Sequence, residues 1–178
     1  MGDLSSVKQK IISSLEKLYL TDNCLFNRNN GRGLAERCIV FRFAHYLQTK
    51  FPNYFVDCDF NSSFSHQNQQ SGKPIQNLDG TITNRFVDII VHKRNFSSGS
   101  GINSDFICFE IKKWNNKTSA NITKDRNNLR YLTTQYGYKY GFHIILGNTL
   151  QNTIIEIFFN NGTNQNFTWE EFRNSLTI

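Results

Sequence analysis

Nowhere in this 178-residue chain do eighteen apolar residues follow one another, so a membrane-spanning helix is excluded. The first thirty residues hold no apolar run behind a basic start; no secretory leader is expected, and the chain is placed in the cytoplasm. No internal repeat is visible. The four cysteines, Cys24, Cys38, Cys58 and Cys108, form no CxxC pair and have no His at zinc-ligand spacing. Cys38, Cys58 and Cys108 lie in apolar segments, which predicts reduced core thiols. Acid is scarce between Ile111 and Ile155, where seven basic residues face one acid, Asp125; this stretch holds the whole excess of +6. Such a surface suits a polyanion such as nucleic acid, although a basic, solubilising face explains the charge equally well.

Length and an apolar share of 38% suit one domain over residues 1–178. Val7, Ile11, Ile12, Leu15, Leu18 and Tyr19 recur at helical spacing, which predicts a helix over 5–20 capped by Ser5 or Ser6. A second, more apolar helix is predicted from 34 to about 50, stopped at Phe51-Pro52. Tyr54, Val56, Cys58 and Phe60 alternate with Asp57 and Asp59 as in a half-buried strand. Residues 61–84, rich in Asn, Gln, Ser and Gly, read as a long surface loop. Strands follow around Asp88 and Glu110, joined by a Ser/Gly turn over 95–104 and expected to pair antiparallel. Thr123 is the expected cap of a helix reaching Gln135. A strand over 142–146 follows, and a strand and a short helix fill 153–176, the helix marked by Thr168 and Glu171 as a capping box. This order predicts an α/β fold, a mixed sheet with helices on its faces.

The functional signal lies in two neighbouring apolar runs, RFVDIIVHKR over 85–94 and DFICFEIKKW over 105–114. Asp88, Glu110 and Lys112 interrupt them, and burying an unpaired charge costs several kcal/mol, on the order of a domain's whole stability. Strand alternation puts Glu110 and Lys112 on one face and Ile107, Phe109 and Ile111 on the other. On the preceding strand Val87, Ile89 and Val91 share a face opposite Asp88 and Ile90, so a hairpin in register sets Asp88 beside Glu110. Glu36 precedes Val40, Phe43 and Leu47 at i+4, i+7 and i+11, which aims it toward the sheet; a helix-start carboxylate serving the dipole fits it equally well. Carboxylates gathered in this way suit Mg²⁺, with Mn²⁺ as its substitute. Such an ion activates a bound water and offsets phosphoryl charge, while Lys112 can hold the hydroxide and stabilise the pentavalent state. Phosphodiester hydrolysis follows as the reaction class.

Asp88 within Phe86-Val87-Asp88-Ile89-Ile90, then Glu110-Ile111-Lys112, with a Glu on a preceding helix, resembles the PD-(D/E)xK nuclease superfamily, in detail its small stand-alone bacterial or phage members. Val87 stands where the family name has proline. The likeness covers about 34–146 and implies a restriction-endonuclease-like core. It also implies that Asp88 and Glu110 ligate Mg²⁺ with the Ile111 carbonyl, that Lys112 assists the nucleophile, and that Glu36 holds a metal-bound water or second ion.

Lys113, Lys117, Lys124, Arg126 and Arg130 form the expected phosphate-contacting set, with DNA the expected partner. Tyr131, Tyr136, Tyr138 and Tyr140 interleave with them and can stack on bases, core or surface packing being their other fate. His92, roughly 13 Å along the strand from Asp88, reads as a strand-end or DNA-facing group. Cutting both strands of a duplex favours a homodimer. The expected function is a metal-dependent endonuclease or exonuclease in defence, restriction or repair. The competing classes are an inactive nucleic-acid- or protein-binding module on the same fold, and a structural or toxin-like partner protein.

Overall fold

The computed structural model describes residues 3–26, 36–60, 63–64, 70–71, 74–76, 80, 82–84, 86–93 and 105–176. The first two residues of the expected second helix, 34 and 35, and the expected 95–104 turn lie outside them. Helix α1 (Leu4–Thr21) buries Val7, Ile11, Leu15 and Leu18, one stripe at three- and four-residue spacing. Its cap is Asp3 rather than Ser5 or Ser6: the carboxylate accepts from the Ser6 amide at 2.8 Å, and both serines lie within the helix. Helix α2 (Glu36–Lys50) packs beside it and buries Ile39, Phe43 and Leu47.

Strand β1 (Phe55–Phe60) follows. The 61–84 stretch is not simply a loop, for it holds two short antiparallel pairs: β2 (Ser63–Phe64) with β3 (Gln70–Ser71), and β4 (Pro74–Gln76) with β5 (Ile82–Asn84). Polar composition hides such pairs because ladder hydrogen bonds need no particular side chain. Then come β6 (Val87–His92), β7 (Asp105–Lys113), α3 (Ser119–Gln135), β8 (Tyr140–Leu146), β9 (Ile154–Phe159), β10 (Asn164–Thr168) and α4 (Trp169–Asn174). Thr118, not Thr123, caps α3, accepting from the Asn121 amide at 3.2 Å, so the helix starts a turn earlier than expected. The capping box of α4 forms as expected between Thr168 and Glu171. Strand β10 was not predicted: NQNFT lacks the alternating apolar pattern because it is a largely exposed edge.

The main sheet is mixed, in the order β1-β6-β7-β8-β9-β10. Strands β6 and β7 pair antiparallel, as the hairpin reading requires, whereas β7 and β8 are parallel and joined through α3. Helices α1, α2 and α4 cover one face, with Phe109 stacked on Phe142 (5.3 Å between centroids) and edge-on to Phe43. On the opposite face Leu129 and Leu132 of α3 pack on Ile90, Cys108 and Phe158. Val87, expected beside Ile89, joins this second cluster instead. Helix α3 approaches β8 closely at Gly141, where a Cβ would stand 3.3 Å from Leu129. Among the described residues no helix is long and apolar enough to cross a membrane.

Candidate functional site

Cross-strand register brings the acids together. Ile89 faces Phe109 and Ile90 faces Cys108, so the next step sets Asp88 opposite Glu110; on the other side, Cys58–Ile89 and Phe60–Val87 bracket Asp59 and Asp88. Beyond Glu110 the register continues to His143, then Glu156, then Asn166. A polar row, Asp59–Asp88–Glu110–His143–Glu156–Asn166, thus crosses all six strands.

At the centre of this row the donors and acceptors are fixed. Asp88 Oδ2 accepts from the Ile111 amide at 2.7 Å, and Glu110 Oε1 accepts from Asn128 Nδ2 at 3.0 Å. Lys112 Nζ donates to Glu36 Oε1 (3.2 Å) and to the Ile111 carbonyl (3.3 Å), and lies 3.4 Å from Asp125 Oδ2. Glu36 Oε2 accepts from the Lys113 amide (3.0 Å) and from Asn116 Nδ2 (3.2 Å). Both readings of Glu36 hold: it is an acid in the first turn of α2, and it reaches the end of β7. Asp88, Glu110, Lys112 and Glu36 therefore converge.

Electrostatics follow from burial. Asp88 is pushed up to about 6, first by desolvation and further by Asp125 and Glu36, against the Ile111 amide and Lys112, which pull it down. Glu110 lies well above the ordinary carboxylate range for the same leading reason, with Asp88 and Asp125 adding to it. Burial alone would lower Lys112, but Asp125, Asp88, Glu36 and Glu110 outweigh it and raise the ammonium. One amine is thus surrounded by several acids, and positive charge is short at the Asp88–Glu110 pair.

A cleft of about 340 Å³ opens beside the pair, lined by Glu36, Arg37 and Phe41 of α2 and by Asp59 and Asp88. Asp59 sits in the left-handed region at φ 50°, a conformation that Asp tolerates better than most residues. Asp88 and Glu110, with the Ile111 carbonyl, are the groups that could hold a cation. Among the described residues no three His, Cys, Asp or Glu side chains are gathered in ready metal-binding geometry. That is compatible with Mg²⁺, which takes one or two carboxylates and fills its other positions with water and phosphate oxygens.

Four residues at the site escaped sequence reading: Asp125, Asn128, His143 and Glu156. All are buried. Asp125 and Asn128 could have been found by running the α3 stripe backward from Leu129 and Leu132, since Asp125 lies at i−4 and i−7 from them. His143 Nδ1 lies 3.7 Å from Glu156 Oε2, and its Nε2 lies 3.8 Å from Asp125 Oδ2. Glu156 is also held by Arg126 Nε at 2.6 Å and Asn164 Nδ2 at 2.7 Å.

The expected phosphate-contacting set divides. Lys117, Lys124 and Arg130 are exposed. Lys113 is buried, its ammonium over the Trp114 ring, so it is not presented as expected; Arg126 pairs with Glu156 through Nε while its side chain stays 43% exposed. Tyr138 and Tyr140 are core residues, which leaves the half-buried Tyr131 and Tyr136 as the remaining candidates for stacking. His92 is buried rather than DNA-facing, 2.6 Å from Asp57. Cys38, expected in the core, is exposed on α2, while Cys108 is buried. No family model, curated protein or solved structure matches the chain.

Proposed function

We propose that this protein is a metal-dependent nuclease that hydrolyses phosphodiester bonds, with DNA as its substrate, on a restriction-endonuclease-like core of the PD-(D/E)xK kind. The observation that carries the reading is the convergence of Asp88, Glu110, Lys112 and Glu36 from two strands and a helix onto one end of the polar row. Asp88 and Glu110, with the Ile111 carbonyl, would hold Mg²⁺, or Mn²⁺ in its place. When bound, such an ion supplies Lewis-acid polarisation of a phosphoryl oxygen and a more acidic water.

The chain's own groups do the rest. The Ile111 amide fixes the orientation of Asp88, and Asn128 fixes that of Glu110, so neither carboxylate has to search for its pose. Lys112 presents an ammonium that stays protonated at neutral pH and can stabilise the additional negative charge of a pentavalent phosphorane. Glu36 anchors that ammonium and, through the Lys113 amide, the end of β7. Lys117, Lys124 and Arg130 offer exposed cations for the flanking backbone, and a homodimer would bring two such sites to a duplex.

A second reading, a binding module on the same fold without turnover, draws on the lack of a ready three-ligand set among the described residues. Supercoiled plasmid and single-stranded DNA, incubated with Mg²⁺, Mn²⁺ or chelator, separate the two. Cutting that needs the metal and falls about 10²–10⁴-fold in Glu110→Ala and in Lys112→Ala supports the nuclease. Binding without cutting, unchanged in either variant, supports the module.

A further inference from the structure

Lys112 is a long side chain with free rotation about four bonds, and a useful ammonium must be held at one point. Two of its contacts, Glu36 and the Ile111 carbonyl, leave that point loosely defined. Glu36 is shared with the Lys113 amide and Asn116 and is partly exposed, and the carbonyl belongs to the adjoining residue. The third contact differs. Asp125 arrives from α3, on the opposite face of the sheet from α2, and is 4% exposed. Its Oδ2 accepts no hydrogen bond and stands between the Lys112 ammonium at 3.4 Å and the His143 imidazole Nε2 at 3.8 Å.

His143 Nε2 likewise has no hydrogen-bond partner, and Glu156 lies on the ring's other side. Glu156 in turn has both oxygens occupied, by Arg126 and Asn164. Acidic and basic side chains therefore alternate from Glu36 through Lys112, Asp125, His143 and Glu156 to Arg126.

We propose that Asp125 is the positioning residue for Lys112, and that buried His143 and Glu156, with the half-exposed Arg126 beyond them, form the support that keeps Asp125 in place. That Lys112 acts on a substrate rests on the nuclease reading; that Asp125 fixes Lys112 does not. Asp125 sets where the ammonium stands, without touching substrate itself.

The test reads Lys112 directly and uses the full chain. Wild type, the isosteric Asp125→Asn and the conservative Asp125→Glu are acetylated briefly with acetic anhydride at pH 8. Peptide mass spectrometry then compares Lys112 with the exposed Lys117 and Lys124. In Asp125→Asn the relative acetylation of Lys112 is expected to rise at least tenfold, because a side chain no longer held against α3 reaches the reagent more often. Asp125→Glu is expected to restore protection in part. In cleavage assays Asp125→Asn is expected to lower kcat at least tenfold with KM little changed.

If Asp125→Asn does not fold, His143→Gln, one link further away, is expected to raise Lys112 acetylation about threefold. Unchanged Lys112 acetylation in a folded variant overturns the proposal, whatever the cleavage result. If acetylation rises but wild type cuts no nucleic acid, the positioning role stands and the nuclease reading fails.

Discussion

Asp88→Asn is expected to make the metal-free protein more stable at pH 8 while destroying its function. A carboxyl whose folded value exceeds its unfolded one favours folding while protonated. Its contribution is complete below the unfolded value of 3.8 and is lost as pH rises through about 6. The interval corresponds to roughly 3 kcal/mol at 1.36 kcal/mol per pH unit, and buried Glu110 acts in the same direction. Asparagine keeps an oxygen for the Ile111 amide and never ionises, so it escapes this cost. A gain of about 3 kcal/mol corresponds to about 6–12 °C in Tm for a domain of this size. Urea and thermal unfolding of wild type and variant at pH 5, 6.5 and 8, in chelator, measure it. The variant should lead by roughly half of that figure at pH 5 and by nearly all of it at pH 8. Adding Mg²⁺ should narrow the gap by stabilising wild type more strongly at pH 8 than at pH 5, and should leave Asp88→Asn nearly unmoved. A wild-type curve no steeper in pH than the variant's, or a variant less stable at pH 8, would refute the reasoning.

Two other perturbations probe the frame. Gly147→Ala places a Cβ 2.6 Å from Asn152 and from the Thr149 carbonyl, so β8 cannot pass into its following turn unchanged; a loss of about 1–3 kcal/mol in urea unfolding is expected. Glu156→Gln leaves Arg126 and buried His143 without their shared counter-charge, and a loss of about 2–4 kcal/mol is expected at pH 7. Burial would raise Glu156, but His143 and Arg126 outweigh it and hold the carboxyl below its usual 4.5. The stability it contributes is therefore present above that value and disappears as acid protonates it, so the penalty of Glu156→Gln should shrink toward low pH.

The helices and central strands were legible because their apolar spacing is strong. The stripe of α1 and the run IIVH in β6 each have one burial solution, and Asp88 and Glu110 stood out as charges where no charge is cheap. What stayed hidden lacked such contrast. Strand β10 is polar and lies at an edge, and the two small pairs within 61–84 are held by backbone bonds that composition does not report. Asp125 looked like one more charge in a basic helix, because its significance depends on which way α3 faces. A cap placed at Thr123 rather than Thr118 obscured that direction. His143 and Glu156 were hidden for a different reason: each lies on a strand whose hydrophobicity is otherwise complete, and only the parallel pairing of β7 with β8 aligns them with Glu110. Parallel register is not set by any local turn, so no short stretch of sequence carries it.

The balance of charge along the polar row separates a structural ion-pair network from a site. Toward β9 each acid has its cation, Arg126 for Glu156 and Lys112 for Asp125, with the His143 imidazole between the two acids. Two residues away in register, Ile90, Cys108 and Phe158 fill the same face with apolar packing, so the fold has no general need for charge there. Toward β1 the accounts do not match. Asp88, Glu110 and Glu36 share the Lys112 ammonium, which is drawn toward Glu36 and Asp125, while the exposed Asp59 and Arg37 line the cleft. A network kept only for stability would be expected to be neutral along its whole length, because unpaired like charges set across adjacent strands repel. A deficit of positive charge confined to the end that opens into a cleft is what a divalent cation and the phosphate it accompanies would correct. For that reason the acid-rich end of the row, rather than its basic flank, is where binding should first be sought.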